Sequence, residues 1–174
     1  MDTLIIRPYR PDDQDRVESI FIEWNRHIAG PDNTDAIEVY IRRVLDEEIR
    51  HIPEYYQKEP GNGFWVADLA GEVVGMAGIE RLNDDEAEVR RMYVNSGHRR
   101  RGIGVRLLSH VEDFCAEEGY ARILLSTSEM QEAALGLYQA QGYRLDREEV
   151  AEEMSNRTIG GGVRRYHFVK DLRE

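Results

Sequence analysis

The pattern of apolar and polar residues in the first third of the chain predicts one strand followed by two helices. Residues 3–7 contain three consecutive aliphatic side chains and precede a proline, which is typical of a strand. Apolar residues then recur at helical spacing and form one face of a helix, and they are Val17, Ile20, Phe21, Trp24 and Ile28. The breaker segment 29–33 ends this helix. A second helix is predicted to begin near Thr34 or Asp35.

The remaining chain alternates between strand and helix patterns. Three strands separated by short turns are predicted at 64–69, 73–79 and 88–94. A loop at 95–101 leads into a helix that ends at Gly119. The next predicted element is a short strand at 123–126, whose apolar centre is typical of a strand buried on both faces. The chain ends with a helix at 131–141 and strands at 143–150 and 164–172. This order, β-α-α-β-β-β-α-β-α-β-β, predicts a single mixed α/β domain over residues 1–174.

Composition narrows the classes of protein that fit. The chain has 174 residues and a formal net charge of -11, which argues against non-specific nucleic-acid binding by the whole surface. A local basic patch is nevertheless expected between Arg90 and Arg106. Cys115 is the single cysteine, so neither a disulfide framework nor a cysteine metal cluster is expected. With no membrane-length apolar run and no secretory signal, we expect a cytoplasmic protein with no membrane, nucleic-acid or metal partner.

The loop before the predicted helix that ends at Gly119 carries an anion-binding pattern. Arg99, Gly102 and Gly104 follow the spacing Arg-x-x-Gly-x-Gly between a strand and a helix. Glycines allow close backbone approach, and a helix start offers unpaired N–H groups to a pyrophosphate. A P-loop is excluded because Gly-Lys-Ser/Thr is absent, and a dinucleotide fingerprint because Leu107 replaces its third glycine. Taken alone, the loop also fits an ordinary turn with solvated arginines.

Neighbouring segments connect this loop to a known family. The chain resembles the GNAT superfamily of N-acetyltransferases in the stretch EVRRMYVNSGHRRRGIGVRLL, which matches motif A. It is similar to motif B in QEAALGLYQAQGYRL, to the usual final strand in YHFVKDL, and to a common opening in IIRPYRPDD. Within the superfamily, FWVADLAGEVVGMAGI and LLSTSEMQEAALGLYQAQGY resemble the camello-like branch. The resemblance covers nearly the whole chain and keeps the order of elements.

The resemblance implies a fold and a cosubstrate site. The fold is a mixed central sheet of about six or seven strands, flanked by about four helices, with a splayed parallel pair at 88–94 and 123–126. Acetyl-CoA would enter the gap between these two strands as cosubstrate. Backbone groups of Met92, Tyr93 and Val94 would pair with its pantetheine arm. The pyrophosphate would be held around Arg99, Arg100, Arg101, Gly102, Ile103, Gly104 and Val105.

The resemblance also implies an acid and a base. Tyr138 matches the motif B tyrosine, the general acid that protonates the leaving thiolate, and a phenol with a pKa of about 10 suits that role. An ordinary core tyrosine is the alternative. Glu88 matches the strand glutamate that accepts the proton of the amine, often through water. Glu86 competes with it, and a solvated strand carboxylate is again the alternative.

Other residues of interest carry weaker signals. Gln131 stands where motif B often has an asparagine that contacts CoA. Glutamine keeps the amide group of that contact but places it at the end of a longer side chain. Cys115 lies on the inner stripe of its helix and is expected to be an inert buried thiol rather than an acyl carrier. Tyr55 and Tyr56 either line an acceptor pocket or belong to the aromatic core, and Trp65 is expected in the core.

These features lead to one function and two alternatives. The favoured function is direct acetyl transfer from acetyl-CoA to a primary amine in a ternary complex. The alternatives are a protein acetyltransferase acting on lysine or N-termini, and a non-catalytic acetyl-CoA sensor. By resemblance, the acceptor is set by the two N-terminal helices, the 53–63 loop and the 150–163 hairpin, and a homodimer is compatible with the family. The acceptor itself is not readable from the sequence.

Overall fold

One mixed sheet of seven strands organises the computed structural model, which describes residues 2–173. In chain order the strands are β1 (Leu4–Pro8), β2 (Gly63–Leu69), β3 (Glu72–Arg81), β4 (Glu86–Val94), β5 (Arg122–Ser128), β6 (Arg144–Ala151) and β7 (Val163–Asp171). Their order across the sheet is β1-β2-β3-β4-β5-β7-β6. Only β4 and β5 run parallel among the neighbouring strands of the described chain.

Four α-helices of the described residues pack on this sheet. They are α1 (Gln14–Ala29), α2 (Thr34–Glu47), α3 (Ile103–Glu118) and α4 (Glu132–Ala140). Gly102 precedes α3 with φ 78° and Gly119 ends it with φ 88°, a left-handed conformation that glycine adopts without strain. The mixed α/β class, the order of elements and the parallel pair are confirmed, with boundaries displaced by a few residues.

Both faces of the sheet are covered at β3, which explains the continuous apolar sequence of that strand. On β3, Val73 and Met76 pack with the cluster that includes α1 and α2, whereas Val74 and Ala77 pack with the cluster under α3. Burying both faces of one strand requires apolar residues at consecutive positions. The helices are thereby held on opposite sides of β3 and its neighbour β4, which places helix ends close to the parallel strand pair.

The structure assigns several singled-out residues to the core. Trp65 and Cys115 are buried as expected, and burial raises the pKa of the Cys115 thiol to about 12. Tyr56 is fully buried and its hydroxyl donates a hydrogen bond to Glu48 Oε2 over 2.8 Å. Of the two alternatives for Tyr56, the structure therefore supports the aromatic core, because its hydroxyl is used inside that core. Tyr55 remains partly exposed and donates to Glu80.

The expected basic patch is smaller than the sequence indicates. Arg90 and Arg91 are buried, and both pair with Glu48, the residue that follows α2. Arg90 also pairs with Glu80 of β3. The exposed part of the patch begins only beyond β4, at Arg100. The distribution of charged residues along the sequence does not reveal that these two arginines are neutralised, since the compensating Glu48 lies 42 residues from Arg90 along the chain.

Candidate active site

The parallel strands β4 and β5 separate after three paired positions. Pairing runs from Glu86 opposite Arg122 to Glu88 opposite Leu124 and then stops. Beyond that point β4 pairs with β3 alone and β5 pairs with β7 alone, so one edge of each strand faces a gap. A cavity of about 90 Å³ lies in this gap. Backbone N–H and C=O groups along the open edge of β4 are available to an extended ligand.

A β-bulge in β4 accompanies the separation. Across the β3–β4 pairing, Ala77 faces two residues, Arg91 and Met92, and Arg91 takes φ 55°. A bulge bends and twists its strand, and a positive φ at a non-glycine residue costs roughly 1–3 kcal/mol. The Arg91 guanidinium donates to Glu48 Oε1 over 3.1 Å and to the Tyr40 hydroxyl over 2.9 Å. This buried anchor holds the strained residue and therefore the bend that opens the gap.

Glu88 stands at the throat of the gap. It is the last β4 residue paired with β5, and its side chain lines the cavity with 13% exposure. Its Oε2 lies 3.1 Å from Nη2 of Arg157, a residue of the β6–β7 connection. The competing candidate Glu86 does not line the cavity and pairs with Arg122 over 2.7 Å at the start of β4. Geometry therefore favours Glu88 over Glu86 as the carboxylate of the site.

Tyr138 reaches the same cavity from α4. The residue is 7% exposed and packs against the rings of Tyr143 and Phe168. Burial, assisted by the nearby Tyr93, raises the pKa of the Tyr138 phenol above its usual value. The hydroxyl is thus kept protonated at neutral pH, which is the state a proton donor requires.

The start of α3 offers unpaired backbone donors beside the gap. The first backbone hydrogen bond at this end runs from Arg106 N to Gly102 O. The N–H groups of Ile103, Gly104 and Val105 therefore precede the intrahelical ladder and are free for an anion. A side chain at Gly104 would lie 3.7 Å from Leu137 and 3.9 Å from Val94, so the missing Cβ leaves a narrow space between α3, α4 and β4.

Arginines flank this helix start in two different environments. Arg100 and Arg101 are exposed, and Arg100 adopts φ 59°. Arg99 instead stacks its guanidinium 4.2 Å from the ring centroid of Trp24 on α1. The Nε of Arg99 and the Nε1 of Trp24 are buried and have no hydrogen-bond partner among residues 2–173. The stacking fixes the loop against α1 and leaves the exposed arginines for an anion.

The remaining residues of the expected cosubstrate site also meet here. Met92, Tyr93 and Gln131 line the cavity, and Val94 borders the adjoining space near Arg99. Gln131 Oε1 accepts a hydrogen bond from the Thr127 hydroxyl over 3.0 Å, which leaves its amide nitrogen for a ligand. An open strand edge, unpaired N–H groups at a helix start and a glycine cradle together fit the extended arm and pyrophosphate of a coenzyme A thioester.

Several cavity residues were missed by sequence reasoning. They include Asn25 from α1, Thr127 from β5, Arg157 and Ile159 from the β6–β7 connection, and Arg165 from β7. The 53–63 loop, expected to help set the acceptor, does not line this cavity and instead borders a separate surface depression. One available signal was strand parity, because Arg165 lies an even number of residues from the buried Val163 and Val169 and so shares their face of β7.

The fold and site define a class, and comparison identifies the family. A mixed sheet with one splayed parallel pair, next to a helix start with unpaired N–H groups, is the fold of solved acetyltransferases. The sequence profile of the Acetyltransferase (GNAT) family matches residues 31–143. The chain therefore belongs to the GNAT family, which confirms the resemblance seen in its motifs.

Individual relatives agree with this assignment. Human N-acetyltransferase 8 is 34% identical over 110 residues, covering 60% of this chain and 48% of that protein. Probable N-acetyltransferase camello of Xenopus tropicalis is 30% identical over 128 residues, covering 72% of this chain and 58% of that protein. These matches span about half the length of each relative. The match to camello confirms the resemblance to the camello-like branch.

A solved structure agrees at the level of the fold. The PaiA N-acetyltransferase of Thermoplasma acidophilum, solved with coenzyme A, superimposes with a TM-score of 0.76 at 19% identity, covering 98% of this chain and 99% of that one. Within residues 2–173, none of the helices has the length and apolarity needed to cross a membrane.

Proposed function

We propose that this chain transfers the acetyl group of acetyl-CoA directly to a primary amine within a ternary complex. The observation that carries the proposal is the shared cavity of Glu88 and Tyr138, at the throat of the β4–β5 gap. One residue is a carboxylate able to accept a proton and the other a phenol held protonated by burial. Membership of the GNAT family supports the same reaction class.

The open edge of β4 and the start of α3 would hold acetyl-CoA. Backbone groups of Met92 to Val94 would bind its extended arm as an added strand, and the N–H groups of Ile103 to Val105 would bind its pyrophosphate. Gln131 would offer its free amide nitrogen from the other side of the gap. Such anchoring fixes the position of the reactive end, and positioning can supply a large share of a rate enhancement.

The two catalytic residues divide the proton transfers. Bound acetyl-CoA supplies the acetyl group as a thioester. A carboxylate oxygen of Glu88 accepts the proton of the amine as the new C–N bond forms, directly or through a water molecule. The Tyr138 hydroxyl donates its proton to sulfur as the C–S bond breaks. The products are an amide and a free thiol, and proton exchange with solvent restores both side chains.

Cys115 takes no part in this scheme. Its thiol lies on the buried face of α3, does not line the cavity, and has its pKa raised by burial to about 12. A thiolate at that position would be scarce near neutral pH, so an acetylated cysteine is disfavoured. This placement supports direct transfer to the amine.

Two-substrate kinetics test the proposal. Acetyl-CoA and each member of a panel of primary amines are varied while thiol release is measured. Direct transfer gives intersecting double-reciprocal lines, whereas parallel lines together with an acetylated protein would contradict it. Tight acetyl-CoA binding without turnover on any amine would favour the sensor alternative instead.

A further inference from the structure

Strand β6 lies at one edge of the sheet with its outer side uncovered. Within residues 2–173 it pairs with β7 alone, and residues 144–150 are all exposed. The outer N–H and C=O groups of such a strand face solvent and can pair with another strand. The opposite edge, β1, is five residues long and contains Pro8. β6 has eight residues and contains neither proline nor lysine, which commonly protect an edge.

Two exposed aliphatic side chains of β6 lie on the same face of the sheet. Leu145 and Val150 are 46% and 47% exposed, and their odd spacing would place them on opposite faces of a regular strand. The pairing register with β7 shifts at Asp146, the extra residue of a β-bulge. The β7 residues opposite Leu145 and Val150 are Phe168 and Arg164, whose even spacing puts them on one face. The edge therefore presents an apolar side chain near each of its ends.

The charged side chains between these two positions are complementary to a second β6 strand that runs in the opposite direction. Arg147 and Glu149 flank Glu148 and share the other face of the strand. When two copies of β6 are aligned antiparallel about Glu148, Arg147 of each copy lies opposite Glu149 of the other. Opposite charges directly across an antiparallel pair stabilise it. In the same alignment, Val150 of each copy lies opposite the bulge that begins at Leu145 of the other.

The like charges at the centre of this alignment are compensated within each copy. Glu148 would face its own counterpart, but its Oε2 accepts a hydrogen bond from Arg164 Nη1 of the same chain over 3.1 Å. A twofold axis at Glu148 gives a closed assembly, because each copy uses its only β6 edge in the pairing. The order of the charges therefore favours a second copy of this chain as the occupant of the edge.

We propose that two copies of this chain associate through their β6 strands, antiparallel and centred on Glu148, so that the two sheets become one continuous sheet. The interface contains two contacts between Leu145 and Val150 and two ion pairs between Arg147 and Glu149. The backbone groups of the outer edge supply hydrogen bonds between the strands. This inference concerns assembly and does not depend on the proposed acetyl transfer, so a failure of either leaves the other standing.

Charge reversal followed by analytical ultracentrifugation tests the proposed interface. Arg147→Glu places like charges opposite each other at two symmetric positions, so the dissociation constant of the dimer should rise by about 10- to 100-fold. Glu149→Arg should have the same effect. The double variant restores opposite charges in exchanged order and should return the dissociation constant to within a few-fold of the wild type. Lys58→Glu is the control, because it makes the same change of net charge at an exposed residue in the segment before β2.

Hydrogen–deuterium exchange of the wild type gives an independent measurement, which decides the matter if a variant does not fold. Exchange of the backbone amides of 144–151 should slow as the protein concentration is raised, whereas exchange at the other edge, Leu4–Pro8, should not change. A wild type that stays monomeric at its highest soluble concentration overturns the proposal. It is equally overturned by a dimer that Arg147→Glu leaves intact, by a double variant no tighter than the single variants, or by protection confined to another surface.

Discussion

Burial of a single phenol has direct consequences for the chemistry of the site. Tyr138 lines the cavity yet is almost fully covered, and burial raises the pKa of its hydroxyl. The protonated form of the phenol is therefore retained to a higher pH than in water. An acid that must protonate a thiolate is useful only in that form.

Replacing Tyr138 by phenylalanine removes the proton donor while keeping the packed ring. We expect kcat to fall by roughly 10²- to 10⁴-fold, as is typical for loss of a general acid. The dissociation constant of acetyl-CoA should change little, which calorimetry can check. In the wild type, no loss of kcat from ionisation of this phenol is expected up to about pH 10, its ordinary pKa. Unchanged turnover in Tyr138→Phe would remove the residue from the mechanism.

Two glutamates on one strand provide a matched test of the base. Glu88 faces the cavity, and Glu86, two residues earlier, pairs with Arg122 outside it. Glu88→Gln should lower kcat by roughly 10²-fold or more, because the amide cannot accept the proton of the amine. Glu86→Gln should stay within a few-fold of the wild type in the same thiol-release assay. A larger loss in the Glu86 variant would reverse the assignment.

Motif position indicated Tyr138 and Glu88 as candidates, but it did not indicate the arginines that line the same cavity. Tyr138 and Glu88 occupy recognisable places in continuous segments of sequence. Arg157 and Arg165 contact partners that are distant in sequence, such as Glu88, which lies 69 residues from Arg157. Whether a buried arginine is neutralised depends on such distant partners. Single-sequence periodicity carries no information about them.

The strand β4 and the helix α3 together shape the gap. The helix start was predictable from its glycines, because Gly102 and Gly104 act locally. The bulge at Arg91 was not predictable from periodicity, since it depends on an extra residue facing Ala77 of another strand. The splayed pair was expected only from family resemblance. Elements were thus predicted by local pattern, and the opening between them by resemblance.

A substitution at Gly104 can distinguish the role of the α3 start in folding from its role in binding acetyl-CoA. Gly104→Ala adds a methyl group at ordinary contact distance from Leu137 and Val94, inside a helix where alanine is favoured by about 1 kcal/mol. We expect an unchanged or higher melting temperature together with weaker acetyl-CoA binding, because the methyl fills the cradle. Gly136→Ala is the control, since that helical position of α4 is open. Equal acetyl-CoA affinity in both variants would argue against the cradle.

At the scale of the whole molecule, one buried carboxylate links the helical layer to the sheet. Glu48, at the end of α2, pairs with Arg90 and Arg91 of β4 and accepts a hydrogen bond from Tyr56. Burial opposes its charge, but the adjacent guanidinium groups hold the pKa of Glu48 below its usual value. The bulge at Arg91 is therefore tied to overall stability as well as to the shape of the gap.

Glu48 should make the fold sensitive to acid. Its pKa is lower in the folded state, so its stabilisation is complete above the unfolded value of about 4.3 and is lost as pH falls below it. We expect Glu48→Gln to reduce the free energy of unfolding at pH 7 by about 3–5 kcal/mol, because it leaves two buried guanidinium groups without their shared carboxylate. Urea unfolding from pH 7 to pH 3 checks both points. A Glu48→Gln variant as stable as the wild type at pH 7 would contradict this role.

The most direct test of the central claim compares the products of one reaction. The protein is incubated with acetyl-CoA and a mixture of primary amines, and mass spectrometry quantifies N-acetylated product against released CoA. Transfer in the β4–β5 gap predicts equal amounts of amide and CoA from the wild type, an unmodified protein, and little of either product from Tyr138→Phe. Release of CoA without amide, or binding of acetyl-CoA with no product, would contradict the account.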